Sequence, residues 1–276
     1  MAWLTLNKKG YFQYVPPLFI TLLLTIGQIS FGMLDSYVNL IAAIATAVIT
    51  EWVLSRWVFK IRKSLSSAYI SGISVGILIR SAFLWPYVIA SMLSIMSKYV
   101  LRYKDRHLWN PSNFGVSWML FMAPADVAGL SIQWGSSWLP LVVIWMLGLV
   151  IVYQAKRLHV TLTYVISFIV LAYVRSLIVG DTFWAEVSPL TGPMYQLFVF
   201  FMITDPATNV STRRGQILVA VLVACVEFFL RLNSFIYAPF YALFIVGPIA
   251  KYIDLRRQGL VVYKSGKEYV QSFVTR

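Results

Sequence analysis

Two short stretches carry polar side chains at spacings suited to ligand binding within an otherwise apolar chain. In Asn110-Pro111-Ser112-Asn113-Phe114-Gly115 an asparagine precedes a proline, the pattern of a helix N-cap followed by the first helical residue. Such a start leaves about four backbone N–H groups and a partial positive charge facing whatever lies before it. Asn113, one turn on, offers a donor and an acceptor to the edge of a heteroaromatic ring. Two readings stand for these residues: Asn110 caps and Asn113 bonds to neighbouring backbone, or both touch a ligand. In the second stretch, Thr204-Asp205-Pro206-Ala207-Thr208, a carboxylate among hydroxyls suits a cation or a proton. Its bland alternative is a turn aspartate paired with Arg213 or Arg214. Gly72 and Gly76 form a Gly-x-x-x-Gly step, which admits a ring or, more commonly, a second helix.

Other titratable groups point elsewhere. Glu227 and Arg231, four residues apart, read as a structural pair on one helix. Glu51 has no local partner; it reaches Lys98 or Arg175, or it is a protonatable site. Cys225 is the single cysteine, which excludes an intramolecular disulfide and a thiolate-held iron-sulfur cluster. His107 and His159 fall in polar connectors, so haem ligation inside a bundle is not expected. There is no Ser-His-Asp arrangement, phosphate loop or dinucleotide fingerprint to support hydrolytic or transferase chemistry.

The elements that position these residues follow from composition. Of 276 residues, 59% are hydrophobic and 12% charged, and the mean hydropathy is +0.75. A soluble chain of this size leaves about a quarter of its unfolded surface exposed, too much for so apolar a sequence. The expected fold is therefore all-α, a polytopic protein of the lipid bilayer. With about 20 residues per crossing, fewer where a helix is short and covered, ten segments emerge: 15–34, 37–58, 68–81, 83–101, 111–125, 137–155, 158–178, 188–204, 215–232 and 236–253. The third, fifth and eighth are short and interrupted by Gly or Pro.

Charge supports this path. With the N-terminus inside, the inner segments at 8–9, 56–63, 98–106, 156–157, 213–214 and 251–276 hold all but three of the 23 Lys and Arg. Only Arg80, Arg175 and Arg231 lie toward the outer ends, while Asp35, Asp126, Asp181 and Glu186 occupy outer connectors. This is the positive-inside rule, so the net charge of +13 is mainly topological and no nucleic-acid partner is expected. Arg256, Arg257, Lys264 and Lys267 add a thin attraction to anionic lipid. Ten crossings divide into two sets of five with opposite orientation, an inverted repeat over 15–125 and 137–253 within one transmembrane domain, 1–257. Residues 258–276 are expected to form a cytoplasmic tail. In inverted repeats the broken helices surround the central site.

Ser97-Lys98-Tyr99 with Leu108-Trp109-Asn110-Pro111-Ser112-Asn113-Phe114-Gly115, and Phe201-Met202-Ile203-Thr204-Asp205-Pro206-Ala207-Thr208 with Arg213-Arg214-Gly215, resemble the NqrB/RnfD family in order and spacing. These are membrane subunits of the sodium-pumping NADH:quinone oxidoreductase and of the Rnf electron-transport complex. The similarity covers about residues 60–257. It implies a five-plus-five inverted architecture similar to urea transporters, electron transport with redox partner subunits, possible ion coupling, and a cytoplasmic (inner) membrane location. The candidate cofactor contacts, read from the residues themselves, are Gly72, Gly76, Asn110, Asn113, Thr204, Asp205 and Thr208; the resemblance implies that what they hold is a flavin (riboflavin or FMN) or a quinone. Family members carry FMN esterified to a threonine in the outer connector between the fifth and sixth helices. Here that connector, 125–136, contains no threonine, only Ser131 and Ser136 as hydroxyls, so covalent FMN is not expected and the flavin would be bound non-covalently. Two rival functions share the fold: a small-solute channel or facilitator, and an accessory membrane subunit of a biosynthetic pathway.

Overall fold

The computed structural model describes residues 15–31, 36–61, 64–129 and 139–274. Lys8, Lys9, Asp35, Arg62, Lys63, Ser131, Ser136 and Arg276 lie outside the described residues, as do the side chains of Lys264 and Lys267.

The chain is mostly helical. The first part runs through α1 (Val15–Phe31), α2 (Tyr37–Val53, extended by a π turn at Leu54–Val58), α3 (Ser66–Leu78), the two-residue strand β1 (Ile79–Arg80), α4 (Trp85–Val100), β2 (Arg102–Tyr103), β3 (Arg106–His107), α5 (Pro111–Met122) and β4 (Ala128–Gly129). The second part contains α6 (Leu139–Gln154), α7 (Leu158–Val179), the short α8 (Phe183–Val187), a 3-10 turn at Ser188–Thr191, α9 (Pro193–Leu197, continued by a π turn at Phe198–Met202), α10 (Arg213–Leu232) and α11 (Ala238–Val274). Among the described residues four helical stretches, Tyr37–Val58, Leu158–Val179, Arg213–Leu232 and Ala238–Gln258, are long and apolar enough to cross a membrane. Their outward residues agree with that environment: Ile41, Ile166, Val170, Leu177, Leu218 and Phe229 are all more than half exposed, on faces that water would penalise.

Local chemistry sets the boundaries. Ser36, in extended backbone, accepts the Asn39 N–H at 3.4 Å and starts α2. Thr212 does the same for α10 through the Gly215 N–H at 3.2 Å, and Gly180 ends α7 in the left-handed conformation at φ 84°. The third and fifth segments, expected to be interrupted, are instead short unbroken helices of 13 and 12 residues. Ser71 and Ser74 sit inside α3 without breaking it because their hydroxyls donate back to the carbonyls of Ser67 and Ile70. The eighth segment is broken, into a 3-10 turn, one α turn and a π turn around Pro189, Gly192 and Pro193. At the far end α11 continues past 253 to Val274 as one helix, with Pro248 inside it.

Two antiparallel pairings tie the connectors. Residues 79–80, directly after α3, pair with 128–129, shortly after α5, and 102–103 pairs with 106–107 in a hairpin. The main apolar cluster among the described residues draws on both halves of the chain, from Leu40 and Ile73 through Tyr164 and Phe198 to Phe240 and Val246, with smaller clusters around Ala47 and Ile95 and around Ile144 and Phe200. Within it α2 packs on α3 and α4, and α4 on α5; later in the chain α7 packs on α10 and α10 on α11.

Gly72 lets α3 approach α2 closely. A Cβ there would lie 2.7 Å from the Ile44 Cα, which is backbone, whereas a Cβ at Gly76 would first meet the movable Leu40 Cδ1. Gly72→Ala is therefore expected to destabilise by about 1–3 kcal/mol through overpacking, and Gly76→Ala by clearly less. Thermal unfolding of the two variants in detergent checks the order.

Candidate functional site

The two motif stretches, 95 residues apart at their point of contact, meet. Asn110 Nδ2 donates to Asp205 Oδ2 at 3.1 Å, while Asn110 Oδ1 accepts the Asn113 N–H at 3.0 Å as the α5 cap. Asp205 Oδ2 also accepts from Thr208 Oγ1 at 2.9 Å, and Oδ1 from the Ala207 N–H at 3.0 Å. The aspartate is thus the centre of a side-chain-closed turn after Pro206 and is bridged to the start of α5. It makes no ion pair with Arg213 or Arg214; Asn110 takes that place, because the turn directs the carboxylate inward toward the α5 cap. Thr204 is buried and donates to the Phe200 carbonyl at 2.6 Å, closing the π turn.

Asn113 lies deeper. It is 1% exposed, and its Nδ2 donates to the Phe240 carbonyl at 3.1 Å, a carbonyl that Ser117 Oγ also reaches at 3.2 Å. That carbonyl belongs to the first turn of α11, so Asn113 latches the opening of α5 to the opening of α11. Its Oδ1 has no partner. The space beside Asn110 and Thr208 amounts to about 20 Å³, room for one water. Gly72 and Gly76 stand apart from this cluster, against Ile44, Ala43 and Leu40 of α2. Asn110, Asp205 and Thr208 therefore form one polar knot, Asn113 is a helix latch beside it, and Gly72 and Gly76 serve helix packing.

A roomier cavity adjoins the broken segment. It holds about 300 Å³ between α6, α7 and the 188–202 stretch, and its walls include Trp145, Thr161, Ile169, Gln196 and Phe200. The rings of Trp145 and Phe200 stand edge to face, with centroids 5.4 Å apart. Gln196 is 3% exposed; its Nε2 donates to the Thr191 carbonyl at 3.2 Å, and its Oε1 has no hydrogen-bond partner. Gly148 on α6 makes the wall possible: a Cβ there would fall 2.5 Å from the Phe200 ring. Sequence reasoning passed over Gln196. The available signal was an amide in the middle of the apolar run Tyr195-Gln196-Leu197-Phe198, where an unpaired polar group is expensive.

The buried carboxylates are each partnered. Glu51 accepts from Lys98 Nζ at 2.5 Å and from Tyr99 Oη at 2.6 Å, joining α2 to α4; of the two partners expected for Glu51, Lys98 is the one it meets. Arg175 and Arg231 both bind Glu186, Arg231 Nη2 at 2.9 Å from Oε2 and Arg175 through Oε1. The expected Glu227–Arg231 pair is absent, because Arg231 turns to Glu186 and stacks 4.8 Å over the Phe168 ring. Glu227 instead accepts from Tyr195 Oη at 2.7 Å and from Tyr164 Oη. In the connector before α7, burial lowers the Arg157 guanidinium from its usual value, and the charge of Asp205 opposes that shift. Among the described residues no group of His, Cys, Asp and Glu is placed to hold a metal ion. No protein family and no curated protein matches this chain.

Removing one member of a buried ion pair strands the other. Lys98→Met is expected to cost about 3–5 kcal/mol, and Glu51→Met combined with Lys98→Met to recover most of it. Denaturation of the three proteins in detergent reads this out, and equal losses for single and double variants would show that Lys98 acts by packing alone. For the polar knot, a cycle of Asn110→Ala and Asp205→Ala should give a coupling of roughly 0.5–3 kcal/mol rather than additive losses.

Proposed function

We propose that this chain is a multi-pass membrane subunit of an electron-transport complex, similar in build to NqrB/RnfD, which holds a flavin or quinone ring non-covalently at its broken eighth segment. The observation that carries this reading is the cavity of about 300 Å³ walled by Trp145 and Phe200, into which the buried and unpartnered Gln196 carbonyl contributes an acceptor. Its volume falls at the lower end of small-molecule sites, which are mostly apolar with a few fixed polar groups.

Further features support the class. The two stretches that carry the resemblance touch through Asn110 and Asp205. The packing of α2 on α4 and α4 on α5 recurs as α7 on α10 and α10 on α11, as an inverted repeat of ten crossings requires. A carboxylate-to-tyrosine bond recurs with it, Glu51 to Tyr99 between α2 and α4 and Glu227 to Tyr164 between α7 and α10. In this reading both termini face the cytoplasm and the membrane is the cell's inner one.

A bound flavin or quinone supplies reversible uptake and release of electrons at its ring. Gln196 Oε1, buried and without a partner, would hold the ring by accepting an N–H or O–H. Thr161 Oγ1, whose bond to the Val199 carbonyl is a long 3.4 Å, would be the second polar group within reach of the ring. Trp145 and Phe200 exclude water from the ring faces, and Gly148 sets how near Phe200 stands. The knot at Asn110 and Asp205 holds the inner end of the segment that carries Gln196. Electron donors and acceptors come from partner subunits.

A second reading, a small-solute facilitator, is favoured by the Ser91 and Ser94 hydroxyls, which are fully buried on α4 without hydrogen-bond partners. The two readings separate in one preparation. The detergent-purified protein should show flavin absorption that acid precipitation releases to the supernatant, or yield a quinone on solvent extraction. Gln196→Leu should lower occupancy roughly fivefold, the worth of one hydrogen bond. A pure, monodisperse protein that is colourless, yields no quinone and takes up neither ring on titration, yet passes solute into liposomes, would replace this reading with the facilitator.

A further inference from the structure

Where α6 turns into α7, on the side the charge distribution assigns to the cytoplasm, lies an open groove of about 880 Å³ unconnected with the redox cavity's walls. Lys156, Arg157, His159 and Arg213 line it. Among the described residues none of the three Lys and Arg side chains forms an ion pair. The neighbouring carboxylates are turned to other work: Asp205 binds Asn110 and Thr208, and Asp254 binds Ser211 and Gln258. The first N–H groups of α7 open here without a side-chain cap, and α10 begins at Arg213 on the opposite wall, so two helix dipoles add to the positive potential.

His159 is oriented for the same purpose. Gln216 Nε2 donates to the Val210 carbonyl at 2.8 Å, which leaves its Oε1 facing His159 Nε2 at 2.7 Å. The imidazole therefore donates from Nε2, leaving Nδ1 outside that bond. From the groove an apolar track leads away along one face of α7: Leu158, Leu162, Ile166 and Val170, each four residues from the last, are all exposed.

We propose that this groove is a binding site for an anionic phospholipid of the inner leaflet. Lys156, Arg157 and Arg213 take the phosphate oxygens together with the α7 N-terminal N–H groups, and an acyl chain lies along Leu158, Leu162 and Ile166. The track distinguishes lipid from free phosphate, which the cations alone would also attract. This assignment rests on the membrane reading above, but not on the redox one.

The test uses the full chain, extracted in detergent, stripped of lipid and offered phosphatidylglycerol, phosphatidylcholine or inorganic phosphate, with bound species counted by native mass spectrometry. Phosphatidylglycerol should be retained about tenfold better than phosphatidylcholine. Arg157→Gln with Arg213→Gln should lower its retention roughly 30-fold, about what two interfacial cations contribute. Arg256→Gln with Arg257→Gln, both exposed on α11, should lower it far less, by the thin attraction of that end alone, and the single exposed change Lys156→Gln gives a milder loss than the groove pair if the double variant fails to fold. Equal retention of the two lipids, an equal loss in the α11 variant, or inorganic phosphate binding as tightly as phosphatidylglycerol would each overturn the assignment. Recovery of the chain in the soluble fraction without detergent would overturn the membrane reading itself, a distinct outcome.

Discussion

Charge and hydrogen-bonding groups cannot be left alone in an apolar surround, and the arrangement of this protein turns on how its few interior carboxylates are satisfied. An isolated ionised group in such a medium costs many kcal/mol, so each of these acids fixes the helices around it. Glu51 binds α2 to α4 through Lys98 and Tyr99. Glu186 gathers Arg175 from α7 and Arg231 from α10. Glu227 binds α10 to α7 and α9 through two tyrosines. In each half, then, polar bonds hold together helices that apolar contact alone would leave free to slide.

The same constraint governs the backbone of the broken segment. A stretch with no continuous helix must find partners for its carbonyls and amides, and here they are local side chains: Thr204 on the Phe200 carbonyl, Gln196 on the Thr191 carbonyl, Asn209 on the Ile203 carbonyl. Lys251, buried within α11, adds its ammonium to the Asn209 carbonyl at 2.6 Å. Irregular backbone is thus kept where it is covered by neighbours, which is also where small-molecule sites form in membrane proteins. The Gln196 carbonyl, left out of this network, marks the place where the covering is incomplete.

Much of the architecture is legible in the residues. The segment boundaries at 37–58, 158–178 and 215–232 agree with the helices to within a few residues, because a long apolar run bounded by Ser36, by the Lys156-Arg157 turn or by Thr212 has few alternatives. The meeting of Asn110 with Asp205 was prepared by motif positions but not deducible from them, since each stretch reads equally well as a self-contained cap or turn. The interruptions expected in the third and fifth segments are absent for identifiable reasons: Ser71 and Ser74 bond within their own helix, and in α5 Pro111 occupies the first helical position behind the Asn110 cap while Gly115 lies against Ala90 and Ser94 of α4.

What the sequence determined by itself is the medium and the elements: apolar content, the gathering of Lys and Arg between apolar runs, and the punctuation by caps, prolines and glycines, all of which act through composition and neighbours along the chain. What only the tertiary structure decided is partnership. Four-residue spacing put Glu227 and Arg231 on one helix face, yet Arg231 went to Glu186 and Glu227 to two tyrosines. Proximity along one helix is fixed by its pitch, whereas the choice among competing donors depends on which other helices pack there and how fully each group is buried, quantities that exist only once the chain has folded.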